Sequence, residues 1–347
     1  MKYPPLKEVI SRSKQIKSYL LKKLKEKRNS ELELTLINSI ESFTNHTKSK
    51  MSFYGYNDFA NTGDQALWLS LVYFYKRNFG MNKVKYLESY SKTRFKDIGE
   101  RADIVIFPGG GSLGNRYNSS LDRVNLLKSN KNLRAIQMPV STTFIKNEDT
   151  LYELRKEYSV DNRVLTFCRD ETSKGEAESK LQIKPILTVD LVEFLPDLSD
   201  FKTGELDHLY LFRTDSESAV NFNKLNIKRD QTTDWKEISK YESKLQTISK
   251  IRRKIISYKK SNLEFFGNTN LYRNQNLKLS LEISAHATSN ALAYLSFYNE
   301  ITTDRLHGLL LSNKMGLNIN YVDNDHGKIS RYLNTWGNRH KNVNKLV

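Results

Sequence analysis

The segment Thr302–Leu309 reads TTDRLHGL, and it holds the densest chemistry in the chain. Arg305 and His307 stand two apart where a strand is expected to give way to a helix, with Thr303 or Asp304 placed to cap it. A guanidinium, an imidazole and a helix N-terminus together suit one anion. The imidazole can also give and take a proton near neutrality. A second segment, Pro108–Gly114 (PGGGSLG), directly follows the apolar run Asp103–Phe107. Gly109, Gly110 and Gly111, with Ser112 after them, offer backbone amides with no side chain in the way. A helix starting just beyond would draw an anion there, and a plain tight turn is the simpler reading. No Walker or dinucleotide fingerprint accompanies the glycines. In Cys168–Ser173 (CRDETS), Arg169 would add a cation at the mouth of a cleft and Asp170 would cap a helix, unless the two merely pair on the surface. In Asn57–Leu67 (NDFANTGDQAL), Asn61, Thr62 and Asp64 can each cap a helix while Gly63 relaxes the turn; the same loop can face a substrate. Arg213 with Asp215, and Asn324, His326 and Lys328, are weaker candidates. His46, His208, His286 and His340 have no convincing partners, and no histidine pair shows metal-ligand spacing with a carboxylate, so no metal is expected. A serine-nucleophile elbow is missing as well.

Every one of these segments follows an apolar run of strand length. Met51–Tyr56, Val84–Glu88, Asp103–Phe107, Leu133–Met138, Arg163–Cys168 and Pro185–Val189 read as strands. Helical patterns lie between them at Gln65–Asn78, Leu121–Ser129, Glu148–Tyr158 and Asp170–Leu181. The turn-rich stretch 195–207 marks a boundary. A second alternating half follows: strands at His208–Arg213, Leu263–Phe266, Glu300–Thr303 and Leu317–Val322, and helices at Glu282–Phe297, Arg305–Met315 and Lys328–Trp336. Such alternation predicts an α/β protein of two Rossmann-like, doubly wound halves facing a central cleft, with ligands at the carboxyl ends of strands. The expected division is 1–50 as a basic extension, 51–200 and 201–325 as the two halves, and 326–347 as a helix and tail.

The chain has 347 residues with 56 Lys and Arg against 39 Asp and Glu, a net charge of +17. The surplus points to an anionic partner: nucleic acid, lipid or a phosphorylated substrate. No nucleic-acid module signature is present, so nucleic acid is not expected. Residues 1–30 hold ten Lys and Arg and two acids, with Leu6, Val9, Ile10, Ile16, Leu20 and Leu24 near helical spacing. That helix could lie on an anionic membrane face, or dock its stripe on the main body. Lys236–Lys260 is a second basic stretch with helical spacing. One cysteine, no membrane-length apolar run and no secretory signal pattern lead to a cytoplasmic expectation, peripheral at the inner membrane face if the basic helix engages lipid.

The order NTGDQAL, GGGSLG, RDETS, LFRTDSE, TTDRLHGLLLS and NDHGKISRYL, spread over residues 51–336, resembles the polysaccharide pyruvyl transferases. The resemblance implies a glycosyltransferase-B-like fold with the active site between its halves. It also implies phosphoenolpyruvate as donor, with no further cofactor, and a glycan or lipid-linked sugar as acceptor. By the same resemblance Arg169 and Arg305 hold the donor and His307 with Arg305 carries the catalysis. The glycines 109–111 with Ser112 would line the donor site, and Asn61, Gly63, Asp64, Arg213 and Lys328 the rest of the cleft. A nucleotide-sugar glycosyltransferase is the alternative; it would want a ribose-binding carboxylate in the second half. A non-catalytic glycan- or phosphate-binding protein and a scaffold built on the basic helices are the remaining readings.

Overall fold

The computed structural model describes residues 3–26, 30–44, 49–56, 61–80, 84–88, 98, 102–145, 148–239, 247–248, 250–251, 254 and 269–346. The expected strand Leu263–Phe266, most of the basic stretch 236–260, the loop residues 57–60 and His46 lie outside them.

Among the described residues, all strand pairings are parallel. The first sheet is seven-stranded, built from β1 (Met51–Tyr54), β2 (Val84–Glu88), β3 (Ile104–Phe107), β4 (Gly110–Gly114), β5 (Arg134–Thr143), β6 (Val164–Cys168) and β7 (Ile186–Leu187). Its order is β2-β1-β3-β5-β6-β7, with β4 paired to β5. Its helices are α3 (Thr62–Asn78), α4 (Asn118–Ser129), α5 (Glu148–Tyr158) and α6 (Glu171–Leu181). Strand residues alternate in direction, so each face needs its own cover. Phe53, Ile104 and Ile106 join one buried cluster with α3; Tyr54, Val105 and Phe107 join another with α4 and α5.

The second sheet has five strands: β8 (Leu206–Leu211), β9 (Thr232–Thr233), β10 (Tyr298–Thr303), β11 (Asn318–Tyr321) and β12 (Val343–Lys345), ordered β12-β11-β10-β8-β9. Its helices are the short α7 (Phe222–Leu225) and α8 (Trp235–Ser239), then α9 (Thr269–Leu295), α10 (Leu306–Lys314) and α11 (Lys328–Trp336). The C-terminal tail is tied in: β12 extends this sheet, and Trp336 at the end of α11 donates to the Arg169 carbonyl at 2.9 Å.

The order reverses between β1 and β3 in the first sheet, and between β8 and β10 in the second. Such switch points leave a crevice beyond the carboxyl ends of the strands.

The basic N-terminal segment is part of the body. Besides α1 (Leu6–Lys23) there is a second helix, α2 (Glu31–Thr44), which the sequence reading lacks. Val9, Ile16, Leu20 and Leu24 from α1, and Leu36 and Ile40 from α2, enter the same core as both sheets. Arg12 donates to Thr203 Oγ1 at 2.9 Å, and the Arg77 guanidinium is paired with the fully buried Glu33 of α2. Most of the apolar stripe therefore faces protein; Leu6 and Ile10, with Tyr3, remain exposed.

Two further expectations change. The histidines outside the motifs do have partners: His208 Nε2 lies 2.8 Å from Thr302 Oγ1, His286 Nε2 2.9 Å from Glu282, and His340 Nε2 3.0 Å from Glu193. All three partners are distant or one helical turn away, which sequence spacing alone does not reveal. The glycine run is not a turn into a helix either. Gly110–Gly114 forms β4 beside β5, and the next helix begins only at Asn118.

Candidate active site

Among the described residues, eight strand ends bring chemistry to the crevice, and each contributes through the residues past it. After β1, α3 opens on Asn61. Its Oδ1 accepts the Gly63 amide at 3.2 Å, and its Nδ2 donates to Asp64 Oδ2 at 3.0 Å. Capping is thus a real role of Asn61. Asp64 is half-buried, and its partial removal from water raises its carboxyl above the ordinary value, while His307, Arg213 and Arg305 pull it back. Three basic side chains from the half that holds the second sheet are thus close enough to act electrostatically on an acid of the first.

After β3, the chain passes so close to β5 that a Cβ on Gly109 would lie 3.3 Å from the Pro139 carbonyl carbon. Gly110, at φ +105°, needs the left-handed freedom of glycine. Gly111 faces the site: a Cβ there would stand 3.1 Å from Lys328 Nζ and 3.7 Å from Arg169 Nη2. Ser112 is turned away from Arg169, its Oγ accepting from the buried Arg123 at 2.7 Å. Gly109 and Ser112 line a small cavity together with Asp64 and Arg123.

After β6 comes Arg169. It is buried rather than exposed at the cleft mouth, with 2% of its surface accessible. Its Nε donates to Ser141 Oγ at 2.8 Å and its Nη1 to Asp190 Oδ2 at 2.6 Å. Asp170 caps α6 through the Ser173 amide at 2.7 Å. Asp190, the residue past β7 and its short extension, is wholly buried. Burial would raise its carboxyl, but His307 and Arg169 hold it far below the carboxylate range.

In the second sheet, Arg213 follows β8. It grips Asp215 with two donors at 2.8 and 2.9 Å and lies 3.2 Å from Glu217. Asp304, past β10, accepts the Arg213 amide at 2.9 Å across the switch point. It does not cap α10; Thr303 Oγ1 instead accepts the Arg305 amide at 3.1 Å. Burial lifts the Asp304 carboxyl to about 6. Arg305 is the residue on which α10 begins, and its Nη2 sits 2.5 Å from Asp234, the acid after β9. His307 points elsewhere. Its Nε2 lies 3.3 Å from Asp190 Oδ2 and 3.5 Å from Arg169 Nη1, both on the first sheet. The expected convergence of Arg305 and His307 on one anion is therefore split: the guanidinium is held toward the second sheet and the imidazole reaches across the cleft. After β11, Asn324 Oδ1 accepts the Lys328 amide at 3.0 Å, and Lys328 Nζ donates to Glu217 Oε2 at 2.7 Å. Burial lowers the Lys328 ammonium, while Lys328 and Arg213 overcome burial to hold Glu217 at about 2.

The structure thus gathers Gly63, Asp64, Gly111, Arg169, Arg213, His307 and Lys328, with Arg305 behind them. Sequence reasoning missed the carboxylates that orient these cations: Asp190, Asp234 and Glu217. Asp190 and Asp234 had a signal in ILTVD and TTD, an acid following a short apolar or β-branched run. It also missed Tyr117, whose hydroxyl donates to Glu217 across the cleft, and Arg116, which pairs with Asp325 at 2.9 Å. A dry site with fixed cations stabilises developing negative charge, and an imidazole within it can move a proton.

Comparison with known proteins places the chain in a family. The family model for polysaccharide pyruvyl transferase matches residues 61–326, which hold the gathered site residues except Lys328, two positions beyond the match. General stress protein 30 of Bacillus subtilis is 27% identical over 212 residues, 58% of this chain; the chain spans only 60% of that protein's length. Pyruvyl transferase 1 of Schizosaccharomyces pombe is 25% identical over 307 residues, 83% of this chain and 69% of that protein. Among solved structures, an uncharacterised Klebsiella pneumoniae protein shares the fold at a TM-score of 0.59 and 19% identity, over 92% of this chain and 100% of that one. The chain belongs to the polysaccharide pyruvyl transferase family.

Proposed function

We propose that the protein transfers pyruvate from phosphoenolpyruvate to two hydroxyls of one sugar, closing a ketal, in cell-surface polysaccharide biosynthesis. The observation that carries this reading is the meeting of His307 with the buried Arg169 at 3.5 Å, beside Lys328 at Gly111. Phosphoenolpyruvate carries a phosphate and a carboxylate on one small frame, and cations set this close suit both groups. A proton goes to the methylene carbon, which becomes the methyl group. One sugar hydroxyl adds to the central carbon and loses its proton. The C–O bond to phosphate breaks, and inorganic phosphate leaves with the bonding pair. The second hydroxyl then closes the ketal and gives up its own proton. His307 handles protons, a role typically worth about 10²–10⁴ in rate. Arg169 and Lys328 hold the donor and stabilise the departing phosphate. Arg213 and Arg305, each fixed by carboxylates, keep the second-sheet wall of the glycosyltransferase-B-like cleft positive.

The acceptor is a glycan or lipid-linked sugar, and exposed Leu6 and Ile10 on a lysine-rich helix, with exposed Tyr3 just before it, fit contact with an anionic cytoplasmic membrane face. Leu6→Ser with Ile10→Ser should weaken sedimentation with anionic vesicles; unchanged sedimentation removes that part. The function itself is tested by phosphate release from phosphoenolpyruvate with a panel of galactosides, mannosides and N-acetylhexosaminides. Acceptor-dependent release and a ketal product, both lost in His307→Ala, are the expected result. Failure to bind phosphoenolpyruvate, with binding of a nucleotide sugar in its place, overturns it.

A further inference from the structure

The side chain that His307 meets across the cleft is a carboxylate. Asp190 Oδ2 lies 3.3 Å from His307 Nε2 and also accepts Arg169 Nη1 at 2.6 Å. Asp190 Oδ1 accepts the Val192 amide at 2.9 Å, which pins the carboxylate plane. An ionised carboxylate only accepts, so a nitrogen bonded to it must carry hydrogen. Nε2 therefore keeps its proton in both states of the ring, and the proton that comes and goes is on Nδ1. The other edge of the ring is placed with equal firmness. Nδ1, Cβ and Cγ of His307 pack onto Gly63, in the first turn of α3, so closely that no Cβ fits between.

We propose that Asp190 is a positioning residue: it claims Nε2 of His307, holds Arg169 with the same oxygen, and so assigns proton exchange to Nδ1, on the Gly63 side of the ring. The inference deepens the pyruvyl transfer reading and rests on it for the identity of the reaction. The charged groups around the imidazole are Asp190 and Arg169 from the first sheet, Asp64 from α3 and, two residues before it, Arg305. With Asp190 ionised, Arg169 and the ring share one counter-charge. Take that charge away and a guanidinium and a protonated ring face each other at 3.5 Å with nothing between. The oxygen is thus a clasp on two side chains that both belong to the donor site.

Asp190→Asn tests this with little change of shape, since the retained amide oxygen can still accept from Val192 or from Arg169. Nitrogen-15 spectra of histidine-labelled protein identify the tautomer, with His307→Ala marking the signal. Wild type should show the Nε2–H form almost alone at alkaline pH; Asp190→Asn should populate both forms. On phosphoenolpyruvate turnover, Asp190→Asn should lower kcat about 10²–10⁴-fold. It should also move the pH profile of kcat/KM to lower pH. Arg169→Gln, which removes the competing cation, should move that profile to higher pH. A purely structural role predicts lower melting temperature with an unmoved tautomer and unmoved profiles. A wild-type ring in the Nδ1–H form, or the same tautomer in wild type and Asp190→Asn, overturns the proposal. The tautomer is read without substrate, so failure of the pyruvyl transfer assay leaves this measurement intact, and a wrong tautomer leaves the transfer reaction standing.

Discussion

Gly63→Ala isolates the contact between the two halves of the site with one methyl group. A Cβ at position 63 would lie 2.8 Å from both Cβ and Cγ of His307, and nearer still to Nδ1. Ordinary carbon contacts begin near 3.4 Å, so the ring or the helix turn must retreat by roughly 1 Å, a displacement that can cost about 10²-fold in rate. Stability should behave differently. Position 63 is helical with an ordinary φ, so alanine restricts the unfolded chain and stabilises by about 0.4–1 kcal/mol. Overpacking costs about 1–3 kcal/mol in the other direction. The net change in melting temperature is therefore small beside the loss of activity. The assay is phosphate release at saturating phosphoenolpyruvate and acceptor, with calorimetry on the same samples. In a His307→Gly background, which removes the Cβ at 2.8 Å along with the ring, the methyl group has room, and Gly63→Ala should then lower the residual rate no further. Wild-type kcat/KM in Gly63→Ala would refute the reasoning, because it would mean the imidazole does not work from the position it occupies against α3.

Three further outcomes are expected. Arg169→Lys should raise the KM for phosphoenolpyruvate at least tenfold in initial-rate assays, because a lysine cannot reproduce the guanidinium's simultaneous bonds to Ser141 and Asp190. Asp304→Asn should raise the melting temperature more at pH 8 than at pH 5. The carboxyl is lifted from 3.8 to about 6, so the fold favours its protonated form and loses stability as pH climbs through that window. The gain above pH 6 is at most ~3 kcal/mol. Glu33→Ala should cost about 3–5 kcal/mol in urea titrations by leaving Arg77 buried without its partner, and Glu33→Leu with Arg77→Met should recover part of that loss.

Much of the architecture is legible because it is periodic. Val84–Glu88, Glu148–Tyr158 and Lys328–Trp336 occur at the boundaries their patterns predict, and Asp170 caps the helix it was placed to cap. The misses are long-range. Gly110–Gly114 reads as a turn by composition and becomes a strand because β5 runs on to Thr143 and offers a partner edge. Helix α2 follows a stretch of lysines and turn formers, and its identity rests on burial of Leu36 and Ile40 against a core remote in sequence. The cations of the site stand out by residue type, since arginine and histidine after a strand invite an anion. Their carboxylate partners do not, because Asp190 and Asp234 look like the capping acids that follow many strands. Which cation each acid serves depends on how the two sheets face one another, and the spacing of residues along one chain carries no such information.

One apolar cluster runs without interruption from α1 and α2 through the first sheet's α3 face, along α9, and into β8, β10 and β11. The halves of this protein are therefore poor modules. A chimera that joined its first sheet to a relative's second sheet would cut through a shared interior, not a solvated seam, and would inherit mismatched side chains along the entire cut. Acceptor preference in this lineage should be more readily re-engineered by exchanging loops beyond the strand ends, which leaves the joint core whole.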